Sequence, residues 1–207
     1  MKKMIILVAV LSLIFSGSLF AGDIGYGAKA GLNMAKFTGE DASFDNVDPK
    51  FKLGLTVGGF ATIPFGDKLS VRPEVMFTQK GARYNESEDG VEVTATTKMN
   101  WLDIPILAVY QVADAISAFV GPYFELYLGG EEVWKFEGDG MSFEGDEKIE
   151  GDDINSLGFG LLFGGAYGVT DNIEVEARVE LGLTSKDPDH TVKNMGIQVI
   201  ANYYLKK

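Results

Sequence analysis

The chain has 207 residues, 30 acidic against 18 basic side chains, a formal net charge of −12 and no cysteine. That length fits one domain or a small pair, and 46% apolar with 12% aromatic content excludes global disorder and a collagen-like repeat. Without cysteine there is no disulfide framework, thiolate metal site or cysteine nucleophile. So acidic a chain would also repel the phosphate backbone of a nucleic acid. Glycine, at 26 of 207, favours strands and turns over helices.

The N-terminal segment reads as an address. Met1 to Met4 carries two lysines, Ile5 to Phe15 is apolar, and Ser16 to Ala21 ends on a small residue, the three-part pattern of a secretory signal. The apolar run is shorter than the roughly 18 residues of a spanning helix. Residues 1–21 are therefore expected to be a signal peptide and residues 22–207 one exported domain. Loss of two lysines leaves 16 basic and 30 acidic residues, a mature charge of −14.

From Ile24 onward the chain repeats one period. Tyr26, Ala28, Ala30, Leu32 and Met34 alternate with Gly27, Lys29, Gly31 and Asn33, the mark of a strand with two unlike faces. The second strand sets Phe51, Leu53, Leu55, Val57, Gly59, Ala61 and Ile63 against Lys52, Gly54, Thr56, Gly58 and Thr62, with Phe60 the one misfit. The third opposes Leu69, Val71, Pro73, Val75 and Phe77 to Arg72, Glu74, Met76, Thr78 and Lys80. In the fourth, Leu102, Ile104, Ile106, Ala108 and Tyr110 face away from Trp101, Asp103, Pro105, Leu107 and Val109, a second face that is itself mostly apolar.

The fifth strand sets Ile116 to Leu128 in alternation against Ser117, Phe119, Gly121, Tyr123, Glu125 and Tyr127. The sixth, around Leu157 to Val169, is uncharged, and its glycines at largely alternate positions would each cost a helix about 1 kcal/mol. It reads as a strand. The seventh is the cleanest, Ile173, Val175, Ala177, Val179 and Leu181 opposing Glu174, Glu176, Arg178, Glu180 and Gly182. The eighth pairs Met195, Ile197, Val199, Ala201 and Tyr203 with Asn194, Gly196, Gln198, Ile200, Asn202 and Tyr204.

Connections alternate as well. Pro64 to Lys68, Gln111 to Ala115 and Thr170 to Asn172 are tight, whereas Ala35 to Lys50, Arg83 to Lys98, Gly129 to Asp153 and Ser185 to Lys193 are long and polar. Short turns at one end and long loops at the other characterise an up-and-down membrane barrel, and eight is an allowed strand number. A soluble eight-stranded barrel would bury the apolar phase inside. The strands run to about the 9 to 11 residues of a tilted spanning strand. Tyr26, Tyr110, Tyr167 and Tyr203 share the apolar phase at the short-turn end, as an interfacial aromatic girdle would. The expected fold is all-β, an eight-stranded antiparallel up-and-down transmembrane barrel in the bacterial outer membrane. Its polar interior would hold Lys29, Lys52, Arg72, Lys80 and Arg178 with Glu74, Asp103, Glu125, Glu174, Glu176 and Glu180, a near-balanced network that plugs the lumen.

The runs Gly27-Ala-Lys29-Ala-Gly31-Leu32-Asn33, Arg72-Pro73-Glu74 continuing to Gln79-Lys80-Gly81-Ala82, Leu102-Asp103-Ile104-Pro105, Gly121-Pro122-Tyr123, and Ala177-Arg178 leading to Leu181-Gly182-Leu183-Thr184 resemble the PorT-like outer membrane beta-barrel family. The resemblance covers nearly the whole mature chain. It implies the same barrel, and it implies little about activity, because a fold does not fix a function. Outer-membrane barrels commonly end on an aromatic residue; this chain ends Tyr203-Tyr204-Leu205-Lys206-Lys207.

Candidate chemistry is sparse. His190, the single histidine, stands near Ser185, Asp187 and Asp189 in the fourth long loop, but no serine motif surrounds it, and no catalytic, cofactor or metal site is expected. The third long loop is the chemical anomaly. From Glu131 to Asp153 it holds ten carboxylates and two lysines, net −8, with glycines and apolar residues that suggest strand extensions above the membrane. The EF-hand spacing is absent, so the loop is expected to be a solvated acidic face with a contact to a cationic partner or divalent ion. The expected role is a surface-exposed structural or interaction module with a side-chain-filled lumen, and the alternative is a narrow channel or small-ligand transporter. The remaining expected partners are outer-membrane lipid and the assembly machinery, for a monomer.

Overall fold

The computed structural model describes residues 24–43, 47–88, 91–138, 141–151 and 154–207; residues 1–21, expected to be a signal peptide, lie outside them. Nine strands follow in chain order: β1 Gly25–Thr38, β2 Lys52–Pro64, β3 Leu69–Glu88, β4 Val91–Ala113, β5 Ile116–Gly138, β6 Met141–Ile149, β7 Leu157–Gly168, β8 Ile173–Gly182 and β9 Lys193–Lys206. Every pairing between them is antiparallel. Eight strands form a closed ring, because β1 pairs β9 on one side and β2 on the other, and β4 joins β5. The ninth, β6, stands outside that ring. It pairs the upper part of β5, Gly130–Gly138, while β7 takes the lower part of β5 up to Leu126.

The alternating phases fall as the sequence implies. Leu55, Val57, Val120, Phe124, Leu161 and Val199 are exposed, whereas Lys29, Thr56, Arg72, Glu74, Glu176 and Gln198 are buried. Apolar side chains outside and charged ones inside reverse the arrangement of a soluble barrel, and only a hydrocarbon surround makes that favourable. Tyr26, Tyr110, Tyr167 and Tyr203 all point outward and are about half exposed (49 to 57%) at the short-turn end. Register ties them to one height, since Tyr110 pairs Leu69, Tyr167 pairs Ile116, and Tyr203 pairs Ile173.

Two long connections are not loops. The stretch Arg83 to Lys98 continues β3 to Glu88 and begins β4 at Val91, so most of it is paired strand. The stretch Gly129 to Asp153 extends β5 to Gly138 and returns as β6, as its apolar residues suggested. Together β3, β4, β5 and β6 form a four-stranded antiparallel extension beyond the ring. Polar side chains hid the first of these because a strand solvated on one face needs apolar residues only on the other. At the opposite end β4 runs to Ala113, leaving a shorter turn than Gln111 to Ala115.

Candidate functional site

The barrel interior is the chemically organised part of the molecule. At its short-turn half, the Lys29 ammonium donates to Glu74 and, at 2.9 to 3.0 Å, to Glu176. Arg178 donates to Glu74 at 2.7 Å and lies 3.3 Å from Glu176. Arg72 donates to Glu174 at 3.1 Å and to the Tyr204 hydroxyl at 2.8 Å, and Asn202 donates to both Glu174 and Glu176 at 2.9 Å. Three cations thus meet three carboxylates. Phe60, the misfit of the second strand, turns inward because Lys29 and Arg72 lie over its ring, at 5.4 and 5.3 Å from the centroid, a position worth more in a desolvated setting than in water.

The long-loop half holds a second cluster. Lys80 lies 3.0 Å from Glu125 and 3.1 Å from Asp103, and donates to Glu180. Gln198 links the halves, accepting from Arg178 at 2.7 Å and donating to Glu180 at 3.1 Å. Lys186 completes the cluster from the loop between β8 and β9. Its ammonium donates to Glu125 and sits 4.2 Å over the Trp101 ring. No strand alternation marks a loop residue as interior, so nothing in the sequence beyond its charge signals Lys186. Lys52, expected inside, is half-buried, and its ammonium reaches the Leu53 carbonyl at 3.5 Å instead of a lumen carboxylate. The interior tally of five cations and six carboxylates therefore holds with Lys186 in place of Lys52.

The remaining wall is apolar. Leu107, Val109, Phe119, Tyr123, Leu162 and Ala166, from β4, β5 and β7, form one buried cluster. This explains the mostly apolar second face of the fourth strand, which lines the lumen opposite the charges. Glycines of β7 make the room. A Cβ on Gly160 would collide with the Tyr123 ring, and one on Gly164 with Arg178. Over the long-loop end, Phe37, Ala42, Ala82, Met99, Trp101 and Tyr127 close the interior, with Tyr84, Ile149, Ile154 and Val192 packed on them. At the short-turn end a vestibule of about 430 Å³ ends on Arg72, Glu174 and Tyr204.

The loop between β8 and β9 brings Ser185, Asp187 and His190 together without aligning them. Asp187 accepts from the backbone amides of Asp189 and His190 at 2.8 and 2.9 Å and lies 3.1 Å from His190 Nδ1. The Ser185 hydroxyl donates to the His190 and Val192 carbonyls, so it serves the turn and not the imidazole. The hydrogen bond and the charge of Asp187 hold the His190 imidazole above its ordinary range. Among the described residues no group of acidic or histidine side chains is arranged to hold a metal ion.

In the acidic extension two lysines are paired at the surface. Lys98 donates to Glu131 at 2.7 Å, and Lys135 lies 3.2 Å from Glu144. Exposed pairs of this kind contribute little stability, which leaves the extension strongly acidic. Asp139, Asp152 and Asp153 fall outside the described residues.

Solved structures of similar fold include Neisserial surface protein A, with a TM-score of 0.51 at 14% identity over 88% of this chain and 99% of that one. Ail, the attachment invasion locus protein of Yersinia pestis, aligns with a TM-score of 0.46 at 13% identity over 89% of this chain and 100% of that one. At 14% identity the Neisserial protein shows a likeness of fold alone. No curated protein matches the chain. The profile of the outer membrane protein beta-barrel domain matches residues 16–187. With its closed ring of eight strands, apolar exterior and charged interior, the chain belongs to the outer membrane protein beta-barrel domain family and is a protein of the bacterial outer membrane.

Proposed function

We propose that this protein is a non-enzymatic surface module of the outer membrane, in which a plugged barrel anchors an acidic β-sheet extension that meets partners outside the cell. The observation that carries this reading is the filled lumen. Charged side chains from β1, β3, β4, β5 and β8 pair across it, while an apolar cluster occupies part of the wall formed by β4, β5 and β7. An eight-stranded ring leaves room for side chains or one small ligand, and here the side chains take it. The motif resemblance to PorT-like barrels agrees with this reading and adds no activity. The placement of Ser185, whose hydroxyl is spent on backbone carbonyls, supports a non-catalytic loop.

The competing role is a narrow channel or small-ligand transporter, favoured by the vestibule at Arg72 and Glu174. Planar-bilayer recording of the full chain separates the two. The expected result is no steady conductance above the bare bilayer. Stable, ion-selective openings of the unmodified protein would overturn the proposal, and lipid turnover abolished by His190→Ala would establish a lipid hydrolase with its site at the barrel rim in its place.

A further inference from the structure

Register gives the β3–β6 extension two unlike faces, because residues paired across antiparallel strands lie on the same side. Lys80, Met99, Gly130 and Ile149 form one row, continuous with the lumen-facing side of the wall. Farther out on that side come Tyr84, Ala95, Trp134 and Gly145, and then Val93, Phe136 and Phe143. Near the ring this face is covered, since Ala42, Ile154 and Val192 belong to the cluster that includes Met99 and Tyr84. Beyond them it is bare: Trp134 is 36% exposed, Phe136 40% and Phe143 70%. Contiguous exposed aromatics on a folded surface mark contact sites. Strand β6 ends the sheet, so among the described residues its outer edge has no strand partner.

Glu132 and Glu147 face each other directly on this same side. Like charges so placed oppose the pairing of their strands. Burial, and then the neighbouring Glu147, push the Glu132 carboxyl above its usual range.

We propose that this face docks a basic polypeptide segment of another protein in extended conformation. Its apolar side chains cover Trp134, Phe136 and Phe143, and a lysine or arginine enters between Glu132 and Glu147. The inference rests on the interaction reading above and names the partner's chemistry. Charge selects this occupant over the others. A second copy would bring a segment of net charge −8 (ten carboxylates, two lysines) against itself, and anionic headgroups would be repelled in the same way. A cationic segment instead relieves the Glu132–Glu147 opposition. The Trp134 ring beside them adds a cation–π surface, and the open β6 edge offers backbone groups to an extended chain.

The test uses the full chain in nanodiscs of zwitterionic phospholipid, with empty nanodiscs as the reference. A labelled ten-residue peptide alternating arginine and leucine is titrated, and a peptide alternating glutamate and leucine is its control. The basic peptide is expected to bind and the acidic one not. Phe143→Ser, and separately Glu132→Gln with Glu147→Gln, should each weaken binding about tenfold or more, as loss of a central contact does, and added salt should weaken it further. Heat-modifiable mobility identifies folded variants; if Phe143→Ser fails to fold, the exposed Glu147→Lys carries the comparison. Equal binding of both peptides, binding untouched by these changes, or self-association that basic peptide does not displace would each overturn the inference. A silent bilayer with neither peptide bound defeats this inference alone, whereas steady conductance defeats the interaction reading beneath it.

Discussion

Glu176 shows how a single residue holds the interior. It lies 2.9 Å from Lys29, 3.6 Å from Arg72 and 3.3 Å from Arg178, and accepts from Asn202. Neutralising it leaves three buried cations sharing Glu74 and Glu174, and breaking a buried pair typically costs about 3 to 5 kcal/mol. Glu176→Gln is therefore expected to lower barrel stability by about that much, read from urea unfolding in lipid vesicles. Val179→Arg, on the lipid face one strand position from Arg178, should cost about 2 to 4 kcal/mol, the penalty of a cation at mid-bilayer. The two neighbours fail for opposite reasons: one leaves charge unpaired, and the other puts charge in hydrocarbon. At the rim, the raised imidazole of His190 makes its bond to Asp187 fully stabilising below the ordinary histidine pKa of about 6.5. That contribution is lost as pH rises through the folded value. Protection of the Asp187–Thr191 amides, their exchange rate relative to the intrinsic rate at each pH, should accordingly be greater at acidic than at alkaline pH, and His190→Ala should remove the difference.

Strands β7 and β5 illustrate how an element is shaped by what faces it. Gly160 and Gly164 are small because the Leu181 and Ala177 backbone carbonyls, and next to them the Tyr123 ring and Arg178, occupy the space their side chains would fill. Gly160→Val should displace the Tyr123 ring and impair folding, with reduced heat-modifiable protein as the readout. The β5–β6 hairpin is separable by contrast. Its pairing partners above Gly130 lie within the extension, and the eight-stranded ring closes through the lower part of β5. Replacing Glu132 to Asp152 with a Gly/Ser linker should leave insertion and heat-modifiability intact while abolishing salt-sensitive surface binding. An unfolded product would mean that the hairpin belongs to the wall. Within the hairpin, Glu132→Gln should slow amide exchange at neutral pH. A carboxyl whose folded pKa is raised is best tolerated protonated, so this gain should vanish below the ordinary glutamate pKa of about 4.3.

For the whole molecule, the interior network is better understood as a plug than as a source of stability. Buried ion pairs often do no better than well-packed apolar groups of the same volume, and in the proposed function their role is to fill the space that a solute would need. The network has two halves joined through Gln198, and among the described residues the long-loop half draws on a connection, through Lys186. Lys186→Ala should raise the charge imbalance around Glu125, Asp103 and Glu180 and loosen that end, while Arg72, Lys29 and Arg178 still block the other. Bilayer recordings of this variant are expected to show no sustained pore, and a steady large conductance would show that the short-turn cluster does not seal.

Much of this architecture was legible because a membrane barrel writes its two solvents into the chain at every second residue. Alternation assigned the face of Lys29, Arg72, Glu74 and Glu176, glycines separated the sixth strand from a helix, and the tyrosine phase set the height of one interface. Each of these is a local pattern of period two, so the sequence by itself determined the ring of eight strands and its apolar exterior. What it could not specify is contact across the lumen. Lys186 pairs with Glu125, 61 residues away, and Lys52 leaves the charged set, because those outcomes depend on how a loop folds back over an open rim. The paired strands within Arg83 to Lys98 are faint in the sequence for a related reason. Above the membrane one face meets water, the apolar signal thins, and only the register against β5 and β6 shows which residues share a side. Alternation fixes a side chain's face within a strand, and tertiary structure alone decides what stands opposite it.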